Sequence, residues 1–173
     1  MMMFPEGHFD MVVCYGVTLS YTYTRYQEAL NELPRVLHPE GLLFLSVFSL
    51  YGTLRLLGPL DAHTFLAQAN DHIDWEAVLR HEGVVYTRPD SPEFHQPLVM
   101  FSFEGLRACL TQARFEINMM ASSNPILQAG NKIPRITDSE QASSTLTDLE
   151  VALYTCPGLV DTGEHLIAVA RKL

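Results

Sequence analysis

Phe9-Asp10-Met11-Val12-Val13-Cys14-Tyr15-Gly16 and, further on, Leu42-Leu43-Phe44-Leu45-Ser46-Val47 frame the stretch whose reading decides the fold. The first run is apolar, β-branched and closed by a glycine, which predicts a strand buried on both faces of a parallel sheet. Between the runs, Tyr26, Ala29, Leu30, Leu33 and Leu37 recur at helical spacing, while Arg25, Gln27, Glu28, Asn31, Glu32 and Arg35 fill the other side. That is an amphipathic helix. Thr24 and Gln27 have the spacing of a capping box. Pro34 lies inside the helix, where a lost hydrogen bond or a kink costs about 3 kcal/mol. His38-Pro39-Glu40-Gly41 predicts its end, and Leu42 to Val47 a second buried strand. A short crossover between two such strands implies parallel neighbours and a right-handed connection.

Outward from this unit the alternation lapses. The segment 51–100 predicts helices near Asp61 to Gln68 and Asp74 to Arg80, then a proline-punctuated loop from Arg88 to Pro97. In an open α/β sheet, an excursion after the carboxyl end of a strand covers the ligand crevice, so 51–100 reads as a substrate lid. Ser102 can cap a helix that turns Phe103, Leu106 and Leu110 inward, and Phe115 to Ala121 reads as a strand. Residues 122–143 are rich in Ser, Asn, Gln and Thr and read as a loop. Leu146, Leu149 and Leu153 mark a further helix, Pro157-Gly158 ends it, and a last strand runs to Arg171. With no repeats or linkers, 1–173 is expected to be a single domain with 51–100 as an insertion.

Composition bounds the function. The chain has 173 residues, 47% of them hydrophobic, enough for one core of ordinary domain size. A formal charge of −9 disfavours a nucleic-acid backbone as partner, because affinity for that polyanion comes from clustered Lys and Arg. The amino terminus lacks the basic and apolar regions of a secretory signal. The uncharged run Gly41 to Leu54 is shorter than the roughly 20 residues that span a bilayer. A cytoplasmic location without membrane partner is therefore expected. Cys14, Cys109 and Cys156 are odd in number and widely spaced, which predicts reduced thiols.

Phe9-Asp10, Val12-Val13 and Gly16-Val17, then a helix ending Glu32-Leu33-Pro34-Arg35-Val36-Leu37, then Pro39-Glu40-Gly41-Leu42-Leu43 resemble the fourth strand, following helix and fifth strand of class I S-adenosylmethionine-dependent methyltransferases. Phe101 to Leu110 followed by Ala113-Arg114-Phe115-Glu116-Ile117 is similar to that family's late helix and sixth strand. Gly163 to Arg171 is similar to its last strand. The resemblance implies an α/β fold with a partial Rossmann-like sheet: parallel strands four and five, C-terminal strands six and seven, and helices on the faces. It also implies S-adenosylmethionine as cofactor and methyl transfer to a small-molecule acceptor.

Two departures concern turns. Glu40 stands where the family usually has a glycine, as does Arg114. A third concerns the cofactor. The family's Gly-x-Gly-x-Gly loop is absent, since no two glycines here are separated by a single residue, and the acidic residues that hold ribose and adenine are missing with it. The chain therefore resembles the C-terminal half of a methyltransferase. In the family, strand one hides the edge of strand four. The exposed edge of Met11 to Cys14 is accordingly expected to recruit a second copy or a separate chain supplying the N-terminal half. The alternative function is a non-catalytic remnant or partner subunit that no longer binds cofactor by itself.

The resemblance places Cys14, Tyr15, Gly16 and Val17 beside the methionine end of the cofactor, with Gly16 allowing close backbone approach. A simple core role competes for Cys14 and Val17, since free cysteine is among the most buried residue types. Ser20, Tyr21 and Tyr23 follow at the height of an acceptor. Tyr21 and His95 are the catalytic candidates, His95 because imidazole titrates near neutral pH. Tyr51, His63, Trp75 and Tyr86 are the candidates to line the acceptor pocket, against an ordinary packing role for each. Asp61, His63, Asp71, His72 and Asp74 crowd together, yet their spacings match no recurring ligand motif, so no metal is expected. A serine hydrolase is excluded by the lack of a Gly-x-Ser-x-Gly elbow.

Overall fold

The computed structural model describes residues 3–57, 74–86, 98–126 and 140–173. Strand β1 (Phe9–Cys14) leads through a 3-10 segment (Thr18–Arg25) and helix α1 (Tyr26–Val36) into the long strand β2 (Leu37–Ser49). β1 and β2 are parallel, with Met11 to Cys14 opposite Leu42 to Leu45. Helix α2 (Leu50–Leu57), helix α3 (Trp75–Leu79), strand β3 (Val84–Tyr86) and strand β4 (Leu98–Phe101) follow. β4 lies parallel to the far end of β2, at Phe48 and Ser49, and β3 pairs antiparallel outside it. Helix α4 (Phe103–Gln112), strand β5 (Phe115–Ser123), helix α5 (Glu140–Leu153), a short 3-10 turn (Val160–Thr162) and strand β6 (His165–Lys172) complete the order. β6 inserts antiparallel between β2 and β5. The sheet runs β3-β4-β2-β6-β5, with β1 beside the first part of β2.

Period-two alternation sorts β2 into two faces. Leu43, Leu45 and Val47 are fully buried and pack with Leu30 and Tyr26 of α1, Leu106 and Leu110 of α4, and Leu166, Ala168 and Ala170 of β6. Each such leucine contributes roughly 1.5–3 kcal/mol by leaving water. At the carboxyl end, Phe48 joins a second cluster with Leu50 and Leu54 of α2, Ala77 and Val78 of α3, Val84, Leu98 and Met100. Helices therefore lie on both faces.

Four local expectations change. β1 is not buried on both faces: Val12 and Cys14 join the core, while Met11 and Val13 are 50% and 59% exposed on the opposite face. Thr24 does not cap α1. The chain winds through the 3-10 segment first, the cap position is Arg25, and no side chain caps it. His38-Pro39-Glu40-Gly41 does not separate helix from strand but bulges out of β2, so that Leu37 and Leu42 flank the bulge opposite Phe9 and Met11. The expected loop 122–143 is cut at both ends: Ser122 and Ser123 extend β5, because β6 pairs with them through Leu166 and His165, and residues 140–143 already form the start of α5. Ser102 does cap its helix, accepting from Gly105 N–H at 3.0 Å.

Both family glycine positions turn out to be left-handed, Glu40 at φ 66° and Arg114 at φ 63°. An L side chain costs about 1–2 kcal/mol there. Arg114→Gly, which removes this penalty at the cost of a looser unfolded chain, is expected to stabilise by about 0.5–1 kcal/mol in urea denaturation. Gly52 sits where α2 crosses the turn before β6, and an added Cβ would lie 1.9 Å from the Gly163 carbonyl oxygen. Gly52→Ala is expected to destabilise by roughly 2–3 kcal/mol in the same measurement.

Candidate functional site

β1 ends at Cys14, opposite Leu45 and short of the β2 end at Ser49, and both strands point toward the side at which open α/β sheets bind ligands. Cys14, Tyr15, Gly16 and Val17 form the β1 tip. Gly16 and Val17 are consecutive left-handed residues, at φ 70° and φ 55°. For a β-branched residue that conformation is an outlier, and such strain persists only where neighbours hold it. Val17 is buried, its carbonyl accepts from Ser20 N–H at 2.9 Å, and its N–H reaches Ser46 Oγ at 3.4 Å. Thr18 Oγ1 donates to the Tyr15 carbonyl at 2.8 Å. A Cβ added at Gly16 would meet nothing within 4 Å, so the backbone of the tip faces open space. Burial pushes the Cys14 thiol up, against a smaller opposing effect of the Leu19 backbone hydrogen bond. Cys14 is thus a packed thiol rather than an activated thiolate.

Beyond the tip, Ser20 is fully buried and accepts the Phe48 N–H at 3.0 Å, so it ties the 3-10 segment to β2 rather than facing an acceptor. This anchor sets Tyr21, 49% exposed, edge-on to Phe48 with ring centroids 6.0 Å apart. Phe48 in turn packs against the His165 imidazole at 5.4 Å. His165 stands directly opposite Phe48 in the β2–β6 ladder. Its Nδ1 lies 3.1 Å from Ser123 Oγ, which also accepts the His165 N–H at 3.2 Å. Desolvation lowers the His165 pKa, and Glu164 pulls it the other way more weakly.

Of the predicted residues, the consecutive Cys14, Tyr15, Gly16 and Val17 form the β1 tip, and Tyr21 packs against Phe48. Tyr51 is the second residue of α2, two beyond the end of β2, with its side chain exposed. Trp75 begins α3 and Tyr86 ends β3. His63 and His95 lie outside the described residues, as do Asp61, Asp71 and His72. Asp74 caps α3, accepting from Ala77 N–H at 3.0 Å, and pairs with Arg80 at 3.6 Å. Two surface hollows, one of about 60 Å³ between α1 and α4 and one of about 330 Å³ along the 3-10 segment and α1, include no residue of the β1 tip. Phe48, Ser123 and His165 were not singled out by sequence. The only available signal was the alternation of His165 with Ile167 and Val169 on one face of a strand, and only the β2–β6 register sets it against Phe48.

Because burial lowers its pKa, His165 binds its proton less readily in the folded state. Its neutral form stabilises the fold above the unfolded value of about 6.5, and that contribution is lost as pH falls through this value. His165→Asn is expected to lose less stability than the wild type between about pH 7.5 and pH 5.5, as read by urea denaturation at each pH.

Residues 1–45 match the family model for the methyltransferase domain. None of the curated proteins matches the chain. Among solved structures, a SAM-dependent methyltransferase from Methanosarcina mazei is 19% identical with a TM-score of 0.55, covering 100% of this chain and 63% of its own. An S-adenosylmethionine-dependent methyltransferase from Mesorhizobium loti is 11% identical with a TM-score of 0.52, covering 99% of this chain and 65% of its own. The chain thus spans somewhat under two thirds of the length of these structures. Its first quarter is similar to the methyltransferase-domain model, and its described sheet shares the Rossmann-like fold of these methyltransferase structures.

Proposed function

We propose that this chain serves S-adenosylmethionine-dependent methyl transfer to a small-molecule acceptor, with Cys14, Tyr15, Gly16 and Val17 against the methionine end of the cofactor. The observation that carries the reading is the strained Gly16–Val17 turn at the β1 tip, with unfilled space over Gly16. Backbone strain held in place at the carboxyl end of a parallel strand marks a ligand site. The residues fit such a group: a glycine lets it approach the main chain, and the half-buried thiol and the buried Val17 give an uncharged floor. The cofactor supplies a methyl group on a sulfonium, ready for displacement in one step. The chain's own work is positional. Ser20 and Ser46 hold the tip against β2, and Tyr21, Phe48 and Tyr51 border the place left for the acceptor. Tyr21 and His95 are the groups we assign to its proton, and the segment 51–100 to its selection. A reduced, cytoplasmic setting suits the three free cysteines.

A second reading is a partner subunit whose cofactor site is completed by another chain. It is favoured by β1, which among the described residues pairs only with β2 and leaves Met11 and Val13 exposed. Such an edge recruits a second copy or a chain contributing further strands. The sequence also offers no Gly-x-Gly loop for the nucleoside end.

Calorimetric titration of the purified chain with S-adenosylhomocysteine separates the two. Saturable binding is expected. Gly16→Val, which puts a branched side chain at φ 70° and fills the space above the tip, is expected to weaken binding at least about tenfold while the protein stays folded. No binding by a folded wild-type sample would overturn the first reading, and the sedimentation coefficient would then show whether the β1 edge has found a partner.

A further inference from the structure

We infer that Tyr21, Phe48 and His165 form a platform for a planar aromatic acceptor bearing a hydroxyl or an N–H, with the imidazole edge of His165 as its hydrogen-bond partner. This deepens the proposed methyl transfer and rests on that reading for the word acceptor alone.

Three rings from three separate elements, the 3-10 segment, β2 and β6, stand in a row at the carboxyl end of β2. Their centroids are 6.0 and 5.4 Å apart, the first pair edge to face and the second tilted by 40°. Such spacing is that of interacting aromatic side chains, and it extends naturally to one more ring. The row is held from beneath. Ser20 grips the Phe48 backbone at one end, and Ser123 grips both the backbone and Nδ1 of His165 at the other. With Nδ1 engaged, Nε2 is the free nitrogen of the ring, and no contact among the described residues occupies it. Tyr21 remains half exposed, and Phe48 and His165 are only partly buried. Folding has ordered this aromatic surface and left it partly exposed. An ordered, largely apolar surface with one aimed polar atom is how small-molecule sites obtain affinity and orientation together.

The chemistry of the row selects the ligand. Aromatic rings favour a flat π-system over an aliphatic chain. Desolvation keeps His165 toward its neutral form, which hydrogen-bonds a hydroxyl or N–H rather than pairing with an anion. Glu164, the nearest acidic neighbour, further disfavours an anionic ligand. These requirements describe a phenol, a hydroxylated polycycle or an N–H heteroaromatic.

The probe is 2-naphthol, titrated by its own fluorescence into the intact chain, with S-adenosylhomocysteine calorimetry run alongside. The wild type is expected to bind 2-naphthol saturably. His165→Phe, which keeps a ring but removes the nitrogen, and Tyr21→Ala, at an exposed position that leaves the core untouched, are each expected to weaken it at least about tenfold with S-adenosylhomocysteine affinity unchanged. In the wild type, the His165 ring resonances in NMR are expected to shift on adding 2-naphthol. Absence of 2-naphthol binding, or equal binding by the wild type and Tyr21→Ala, would overturn the inference even if S-adenosylhomocysteine binds. Loss of S-adenosylhomocysteine binding with the naphthol pattern intact would instead count against the methyl-transfer reading and leave the platform standing.

Discussion

Every other element depends on β2 being paired along both edges. Along Leu42 to Phe48 it bonds β6, and on the opposite edge it bonds first β1 and then β4. A strand with no free edge and Leu43, Leu45 and Val47 wholly out of water cannot slip, because a one-residue shift would turn the entire apolar set to the other face. This fixed register transmits order to the site. It places Phe48 opposite His165, sets Cys14 at the β1 end opposite Leu45, and puts Ser46 within reach of the Val17 amide.

The packing around β2 also explains where small residues are obligatory. Gly83 admits the Tyr26 ring, Val99 and Phe101, all of which lie within 3.0 Å of where its Cβ would be. The Tyr26 hydroxyl accepts the Gly83 N–H at 3.1 Å, which ties the start of α1 to the approach to β3. Burial raises the Tyr26 pKa and pushes the Cys109 thiol up to about 11, so neither is charged near neutral pH. At the other end of the sheet, Asp161 accepts the Phe103 N–H at the start of α4 while its carbonyl accepts from Ser49. A polar hinge thus joins the turn before β6, the end of β2 and the first turn of α4. A carboxylate at that position is favoured by the helix dipole.

The two faces of the sheet meet different fates. The face under α1 and α4 is closed by aliphatic packing and holds the large core. The other is covered at the β3–β4 end by α2 and α3, and opens toward Met11 and Val13. Phe48 and His165, directly opposite each other in the ladder, lie on this second face, while Cys14 packs into the first.

Period and punctuation in the sequence by themselves determined the order of strand, helix and strand from Phe9 to Val47, the capped helix after Ser102, the closing strand, and the tip at Cys14 to Val17. Those signals are local: a 3.6-residue or two-residue repeat and a glycine where a strand must end. The left-handed turns at Glu40 and Arg114 were legible only through the family's glycines, since neither side chain announces a positive φ. Tertiary structure alone decided that β1 has one open face, that Thr24 caps nothing, that Ser20 is an anchor, and that Phe48, Ser123 and His165 stand together. Phe48 and His165 are more than a hundred residues apart in the chain and become neighbours through an antiparallel ladder. No local pattern encodes such a register, because it is set by which faces and edges must be buried together.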